Sequence, residues 1–169
     1  LFVMAGQGTI GVEIESQCDG LDAIVISVGG GGLIGGTASY LKTVWPEILV
    51  IGCSPENSAV MLHSIKAGKI LDLESKPTLS DGTAGGVEEN TITFPVCCEV
   101  IDESVLVTED EIKEAMVLYI EKEHQLLEGA AGTAVAALLK KKADLKGLRV
   151  GVVICGGNIS LDTVRRFLN

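Results

Sequence analysis

Residues 22–40 read DAIVISVGGGGLIGGTASY, and this stretch decides the fold of the chain. Residues 23–28 form a short apolar run rich in β-branched side chains, which predicts a buried strand. Four glycines follow at 29–32, and small and apolar residues at 33–41 predict a helix. Glycine allows a ligand to approach the backbone, and the start of a helix offers unpaired N–H groups and partial positive charge. The stretch therefore predicts a turn that binds a phosphate group.

The glycine spacing alone does not decide which phosphate compound binds. Residues 30–35 also match the GxGxxG spacing of dinucleotide-binding sites, which need an acidic residue about 20 positions later. Glu56 lies near that place, but it follows Ser54 and Pro55 and is poorly placed to meet a ribose. No Lys-Ser or Lys-Thr pair directly follows the glycines, which excludes a P-loop. A strand-to-helix turn without any ligand is the structural alternative.

The composition indicates one domain with an aliphatic core. Of 169 residues, 47% are hydrophobic and only 4% are aromatic, as buried parallel sheets prefer. The net charge of −10 argues against a nucleic-acid or anionic-membrane surface. The five cysteines lack C-x-x-C spacing, which favours buried free thiols in a reducing compartment such as the cytoplasm. We expect no signal peptide, and no apolar run reaches the roughly 18 residues that a membrane helix needs.

Strand and helix signals alternate along the chain, which predicts a parallel sheet with right-handed crossovers. Residues 69–91 have no clear period, and we expect them to form a long irregular loop that is functional or mobile. Because ligands gather at the carboxyl ends of parallel strands, the turns at 29–32 and 156–158 are expected to face one crevice. The predicted strands are 23–28, 48–53, 94–101 and 149–155, and the predicted helices begin near 6, 33, 56, 112, 128 and 160.

Six short motifs occur in the order found in one enzyme family. They are GQGTI at 6–10, VGGGGL at 28–33, SDG at 80–82, TEDEI at 108–112, EGAAG at 128–132 and CGGN at 155–158. The set resembles the threonine/serine dehydratases and serine racemases, which are fold-type II pyridoxal-phosphate (PLP) enzymes. The resemblance implies an α/β fold with an open, mostly parallel sheet and helices on both faces, like that of the tryptophan synthase β chain. It also implies that residues 1–169 are the C-terminal part of an incomplete large PLP-binding domain.

The resemblance also settles the expected ligand of the glycine turn as the phosphate of PLP. The residues implied to hold it through backbone N–H groups, called here the phosphate cup, are Gly29, Gly30, Gly31, Gly32 and Leu33.

Three further residues are implied to lie around the cofactor ring. Cys155 matches the Ser or Cys beside the pyridine nitrogen, and a neutral partner there leaves the ring a weaker electron sink than an Asp-paired pyridinium. Glu128 matches an acid near the ring, although a carboxylate at a helix N-terminus would serve structurally as well. Gly82 belongs to a loop that approaches the cofactor. Asp81, beside it, is as readily a turn residue as a site residue.

Two features of the family are not matched. The Schiff-base lysine lies in a Ser-x-Lys-x-Arg-Gly type of motif that is absent here, so no catalytic residue is assigned in this chain. The acids that bind a divalent cation in some members correspond to Ser54 and Val60, so no metal site is expected. Since the chain begins with Leu1 rather than Met, we expect the N-terminal half with the lysine to be missing.

The resemblance implies a PLP-dependent lyase that eliminates the β-hydroxyl of threonine or serine and yields a 2-oxo acid and ammonia. A racemase with the same cofactor is the alternative, and a non-catalytic nucleotide-binding domain is the alternative of another class. The expected partners are a small hydroxy-amino acid, the missing N-terminal half and further copies of the protein in a homo-oligomer. We expect no nucleic acid or membrane, and this chain alone is expected to be inactive.

Overall fold

Four parallel strands form the sheet at the centre of the computed structural model, which describes residues 2–168 except for the side chain of Arg166. The strands are β1 (Ala23–Ser27), β2 (Leu49–Pro55), β3 (Glu103–Val107) and β4 (Val150–Val152), in the spatial order β3-β2-β1-β4. Ala23 of β1 lies opposite both Leu49 and Val150. At the carboxyl end of β1, where the glycines follow, Ser27 lies opposite Cys53 of β2, whereas the pairing with β4 ends at Val25.

Seven helices surround this sheet in the described part of the chain. A single 3-10 turn, Asp81–Thr83, is the one regular element within the predicted irregular loop. No helix in residues 2–168 combines the length and apolarity needed to span a membrane. The helices are α1 (Phe2–Gln17), α2 (Gly32–Val44), α3 (Val60–Ala67), α4 (Thr93–Val100), α5 (Glu109–Glu123), α6 (Gly129–Lys140) and α7 (Leu161–Leu168).

The side chains of β1 alternate between two cores, one on each face of the sheet. Ala23 and Val25 pack with α5, α6 and α7, whereas Ile24 and Ile26 pack with α2, α3 and α4. Every residue of β1 is buried, as expected for a strand covered on both faces. The α/β fold with a parallel sheet and helices on both faces is thus confirmed.

The predicted strand at 94–101 is wrong, because residues 93–100 form helix α4. Pro95 lies in the first turn of α4, where a backbone N–H has no helical partner to lose, while in a buried strand it would remove a ladder bond. Cys97 and Val100 are its buried residues, three positions apart as one helix face requires.

Strand β3 was not predicted, and β4 is shorter than predicted. In β3 only Val105 and Val107 are buried, because its first residues are polar and partly exposed at the sheet edge. Strand β4 pairs with β1 over three residues only, and the chain from Val153 to Cys155 leaves the ladder after one more backbone bond, from Val153 to Val25.

Two predicted helix starts are confirmed in atomic detail. The capping box of α5 is complete, since the Glu111 N–H donates to Thr108 Oγ1 and the Thr108 N–H donates to Glu111 Oε2, at 3.2 and 2.8 Å. Before α7, the Thr163 N–H donates to Ser160 Oγ at 3.1 Å. Helices α2 and α6, in contrast, begin without a side-chain cap, and both begin at the cavity described next.

Candidate cofactor site

A cavity of about 340 Å³ lies at the carboxyl ends of β1 and β4. All eight residues assigned from the sequence line it, which brings together motifs that are up to 126 positions apart, from Gly29 to Cys155. The complete lining comprises Gln7, Ile10, Ser27, Gly29, Gly30, Gly31, Gly32, Leu33, Gly82, Thr83, Glu128, Ala130 and Cys155.

The phosphate cup presents free backbone donors to this cavity. Within the described residues, none of the N–H groups at 29–33 donates a hydrogen bond, and Gly31, the N-cap of α2, offers no side-chain cap. Gly31 has φ of +81°, a left-handed conformation that glycine adopts without strain. An added Cβ at Gly30 would have no neighbour within 4 Å, so no protein atom fills that space. Unpaired donors at the positive end of a helix suit a phosphate.

Three residues contact the cup from outside the cavity or at its edge. Thr93 Oγ1 donates to the Gly30 carbonyl at 2.6 Å, and Cys97 Sγ donates to the Gly31 carbonyl at 3.7 Å. A Cβ at Gly29 would lie 2.9 Å from the Thr83 backbone, so the cup also packs closely on the irregular loop. Burial raises the pKa of the Cys97 thiol to about 12, which keeps it neutral beneath the cup.

Cys155 follows β4 and lies beside the end of β1. Its Sγ is 3.6 Å from Oγ of Ser27, a buried residue at the last position of β1. Burial is the main cause that raises the pKa of the Cys155 thiol, the hydrogen bond with Ser27 lowers it, and the charge of Glu128 raises it further. The net direction is upward, so the cavity contains a neutral thiol rather than a thiolate at neutral pH. The prediction of buried thiols holds for Cys53 and Cys97, whereas Cys98 and Cys155 are exposed as whole residues. The sulfur of Cys155 is nevertheless partly buried where it contacts Ser27.

Glu128 joins two of the sequence motifs. Although it is the N-cap residue of α6, its side chain makes no capping hydrogen bond. Its backbone N–H donates to the Gly156 carbonyl at 3.1 Å, and a Cβ added at Gly156 would overlap the Glu128 carboxylate. A Cβ at Gly82 would lie 3.6 Å from Glu128 Oε1. The glycine at 156 therefore leaves room for a carboxylate at the edge of the cavity.

Some lining residues could not be recognised from the sequence. Ser27 carried a usable signal, since the last side chain of a strand before a glycine turn lies at the ligand edge of a parallel sheet. The other lining residues without an assigned role are Gln7, Ile10, Thr83 and Ala130. Three of them lie within the motifs at 6–10 and 128–132, and Thr83 directly follows the motif at 80–82.

The two turns expected to share one crevice do so only in part. Cys155 lines the cavity together with the cup, but Asn158 lines a neighbouring cavity of about 280 Å³ that shares Glu128 with the first. Asp81 also lines this second cavity, and its Oδ1 accepts a hydrogen bond from the Gly82 N–H at 2.9 Å, as a turn residue does.

No lysine lines the main cavity in the part of the chain that the structure describes. Lys42 pairs with Asp102 at 2.8 Å, and Lys140 pairs with Glu111 at 3.0 Å, both on the protein surface. Within residues 2–168, no cluster of three or more His, Cys, Asp or Glu side chains could hold a metal ion. The cavity therefore combines unpaired backbone amides, a neutral thiol and one carboxylate.

Comparison with known proteins identifies one matching family and several similar enzymes. The family model described as pyridoxal-phosphate dependent enzyme matches residues 1–156. The chain is 41% identical over 167 residues to an L-threonine ammonia-lyase of Thermotoga maritima, covering 99% of this chain and 41% of that protein. It is 40% identical over 175 residues to a serine racemase of Dictyostelium discoideum, covering all of this chain and 53% of that protein.

Solved structures show the same relationship. The crystal structure of the Dictyostelium discoideum serine racemase matches with a TM-score of 0.84 and 40% identity over 94% of this chain and 51% of that one. Threonine deaminase isoform 2 from Solanum lycopersicum matches with a TM-score of 0.89 and 32% identity over 97% and 48%. The chain spans about half the length of the relatives it matches. By its sequence and its fold, this chain belongs to the family of pyridoxal-phosphate dependent enzymes.

Proposed function

We propose that this chain is the C-terminal part of a PLP-dependent threonine/serine ammonia-lyase, and that it binds the phosphate and the ring nitrogen of the cofactor. One observation carries the proposal: the unpaired amides at 29–33 and the neutral thiol of Cys155 line a single cavity. The names of the relatives support the reaction, since an L-threonine ammonia-lyase is 41% identical over nearly the whole chain.

In this proposal the phosphate cup anchors the cofactor. Up to five backbone N–H groups and the N-terminus of α2 offer charge-assisted hydrogen bonds, each worth about 1.5–3 kcal/mol. Backbone donors suit this task in a chain with a net charge of −10, because the anion must be held by local geometry rather than by the overall field.

Cys155 and Glu128 act at the other end of the cofactor. The Cys155 thiol lies beside the ring nitrogen and, being neutral, does not stabilise a protonated ring. The carboxylate of Glu128, placed by its contact with Gly156, lies near the ring. When bound, PLP supplies the electron sink that allows the α-proton of the amino acid to leave. Ser27 orients the thiol through the 3.6 Å contact between Oγ and Sγ.

The remaining half of the protein completes the active site in this proposal. The lysine that attaches PLP and most of the groups that bind the substrate carboxylate belong to the N-terminal half, since no lysine lines the cavity among the described residues. The 169-residue chain alone should therefore show no activity with added PLP. Turnover of serine or threonine that is lost on mutating Lys42 or Lys66 would contradict this expectation.

The reaction is tested on the full-length protein. With L-threonine or L-serine, we expect release of ammonia and of the matching 2-oxo acid in equal amounts, dependent on PLP. A matched control with L-alanine, which has no β-hydroxyl, should release neither product. Full-length protein that carries PLP but releases no 2-oxo acid from either substrate would contradict the lyase assignment.

A racemase is the second candidate function, because serine racemase is 40% identical over the whole chain and its structure matches with a TM-score of 0.84. Formation of D-serine from L-serine faster than ammonia release would favour this candidate. Thermal stabilisation by NAD without a visible absorbance band on adding PLP would favour the nucleotide-binding alternative. The homo-oligomer and the cytoplasmic location remain predictions for the whole protein.

A further inference from the structure

Helix α4 holds two donors one turn apart against the phosphate cup. Thr93 Oγ1 donates to the Gly30 carbonyl at 2.6 Å, and Cys97 Sγ donates to the Gly31 carbonyl at 3.7 Å. Thr93 and Cys97 are four positions apart, so both side chains lie on the same face of the helix. The Gly31 carbonyl also accepts the Gly35 N–H at 2.9 Å, the bond that starts helix α2.

These contacts determine where the cup amides point. In a trans peptide group the C=O and the N–H point in opposite directions. Because Thr93 holds the Gly30 carbonyl on the α4 side, the N–H of Gly31 is directed away from α4. Because Cys97 holds the Gly31 carbonyl on that side, the N–H of Gly32 is directed away from α4 in the same manner. Gly31 and Gly32 both line the cavity, so these are two of the amides available to an anion.

The hydrogen bonds around Thr93 fix which hydroxyl donates in each of its contacts. Its hydroxyl has a single proton, which goes to the Gly30 carbonyl, so Thr91 Oγ1 must donate in its 2.9 Å contact with Thr93 Oγ1. The second donor, Cys97, has a fully buried side chain, and a Cβ added at Gly31 would lie 2.5 Å from its sulfur. The cup therefore rests directly on α4.

Glycine peptide groups have wide conformational freedom, so an anion site made from them must be held in place to bind well. We propose that Thr93 and Cys97 are positioning residues that preorganise the Gly31 and Gly32 amides of the phosphate cup. They do not touch the cofactor themselves. The inference rests on the proposed function, in which this cup binds the phosphate of PLP.

The test compares PLP with pyridoxal, which has the same ring but no phosphate, on the full-length protein. Thr93→Val replaces the hydroxyl with a methyl group of similar size. We expect PLP affinity to fall about tenfold, the factor for losing one hydrogen bond of about 1.4 kcal/mol. Pyridoxal affinity should change less than about twofold. Thr93→Ser, which retains the hydroxyl, should restore PLP affinity, and Cys97→Ala should weaken PLP selectively as Thr93→Val does.

Thr43→Val is the matched control, because Thr43 lies on α2 and its hydroxyl donates within that helix, to the Ser39 carbonyl at 3.0 Å. It should leave both affinities unchanged. If Thr93→Val binds PLP as tightly as wild type, or loses PLP and pyridoxal equally, the positioning role is wrong. A wild-type protein that binds neither compound overturns the proposed function, and this inference with it. If wild type binds both PLP and pyridoxal, a failure of the positioning role can be told apart from a failure of the proposed function.

Discussion

Two turns at the carboxyl edge of the same sheet meet the cavity by different means. After β1, residues 29–33 offer backbone N–H groups and no polar side chain, and α4 contacts them through Thr93 and Cys97. After β4, the turn contributes the thiol of Cys155, while Gly156 makes room for the carboxylate of Glu128. In the proposed function, the first turn binds charge with its backbone and the second adjusts chemistry with side chains. Substitutions should therefore affect binding at the first turn and reactivity at the second.

The largest expected effect follows from placing a negative charge in the cup. Gly30→Asp adds a carboxylate where no protein atom lies within 4 Å of the new Cβ. Two like charges about 4 Å apart at an effective dielectric of about 20 repel by about 4 kcal/mol, so PLP affinity should fall about 1,000-fold. The affinity is measured by titrating the full-length apoprotein and following the visible absorbance.

Gly86→Asp is the matched control, since Gly86 is exposed and also has no neighbour within 4 Å of an added Cβ, but it does not line the cavity. This variant should bind PLP as wild type does. Equal PLP affinity in Gly30→Asp and wild type would show that the first turn is only a turn.

The contact between the phosphate cup and α4 should affect the free energy of unfolding. Gly31→Ala meets both an unfavourable φ of +81° and the Cys97 sulfur, and we expect the free energy of unfolding to fall by about 2–4 kcal/mol. Gly68→Ala isolates the backbone part, because Gly68 has φ of +68° and open space around its Cβ. That control should lose about 1 kcal/mol. Urea denaturation measures both.

Adding Cys97→Ala to Gly31→Ala should relieve the overlap and leave mainly the backbone cost. If Gly31→Ala and Gly68→Ala lose the same free energy, the cup does not rest on Cys97. The same conclusion would follow if the free energy of unfolding lost by the double variant equalled the sum of the losses of the two single variants.

These expectations depend on contacts that the sequence could not supply. The run at 22–40 was predictable, because the β-branched strand, the glycines and the helix are local signals. Helix α4 is not predicted by its pattern, because eight residues rich in apolar side chains fit either a strand or a helix period, and Pro95 is the local signal that favours the helix. The contacts of Thr93 and Cys97 with Gly30 and Gly31 span 63 and 66 positions, and only the packed structure establishes them.

The resemblance was more informative about the site than about the elements. It predicted that Gly82, Glu128 and Cys155 lie near the phosphate cup, and the structure places all of them in one cavity. It did not supply Ser27 or Thr83, which take part through geometry rather than through a motif. Strand β3 was missed because Glu103 and Ser104 begin it with polar side chains at a sheet edge.

A smaller effect concerns pH and the buried thiol under the first turn. Burial raises the pKa of Cys97 to about 12, whereas an unfolded thiol has a pKa of about 8.5. The stability that this thiol contributes is therefore complete below about pH 8.5 and is lost as the pH rises towards 12, at up to about 1.4 kcal/mol per unit. Relative to Cys97→Ser, which has no such titration, wild type should lose about 2–3 kcal/mol between pH 8 and pH 10.5.

Denaturation curves at several pH values, collected for both proteins, measure this difference. The comparison with Cys97→Ser removes the contribution of lysines and tyrosines, which titrate equally in both. Parallel dependence of the two stabilities on pH would show that the thiol is not held neutral beneath the cup.

The smallest effect on binding is expected at the second turn. Cys155→Ser retains a neutral donor beside Ser27, and one weak thiol contact contributes little beside the several phosphate bonds. PLP affinity should change less than about threefold, and most activity should remain. Cys155→Asp should stabilise a protonated ring and alter the ratio of reaction products. Loss of PLP in Cys155→Ser, or unaltered products in Cys155→Asp, would show that Cys155 does not lie beside the ring nitrogen.

The central claim is that the backbone amides of residues 29–33 bind the phosphate of PLP. A crystal structure of the full-length protein with PLP tests it most directly, through the distances from the phosphate oxygens to these five nitrogen atoms. The account predicts at least three of these distances in the hydrogen-bonding range of about 2.7–3.2 Å. It also predicts that the carbonyls of Gly30 and Gly31 still accept from Thr93 and Cys97. A phosphate bound elsewhere, with all five nitrogens more than about 4 Å away, would contradict the account.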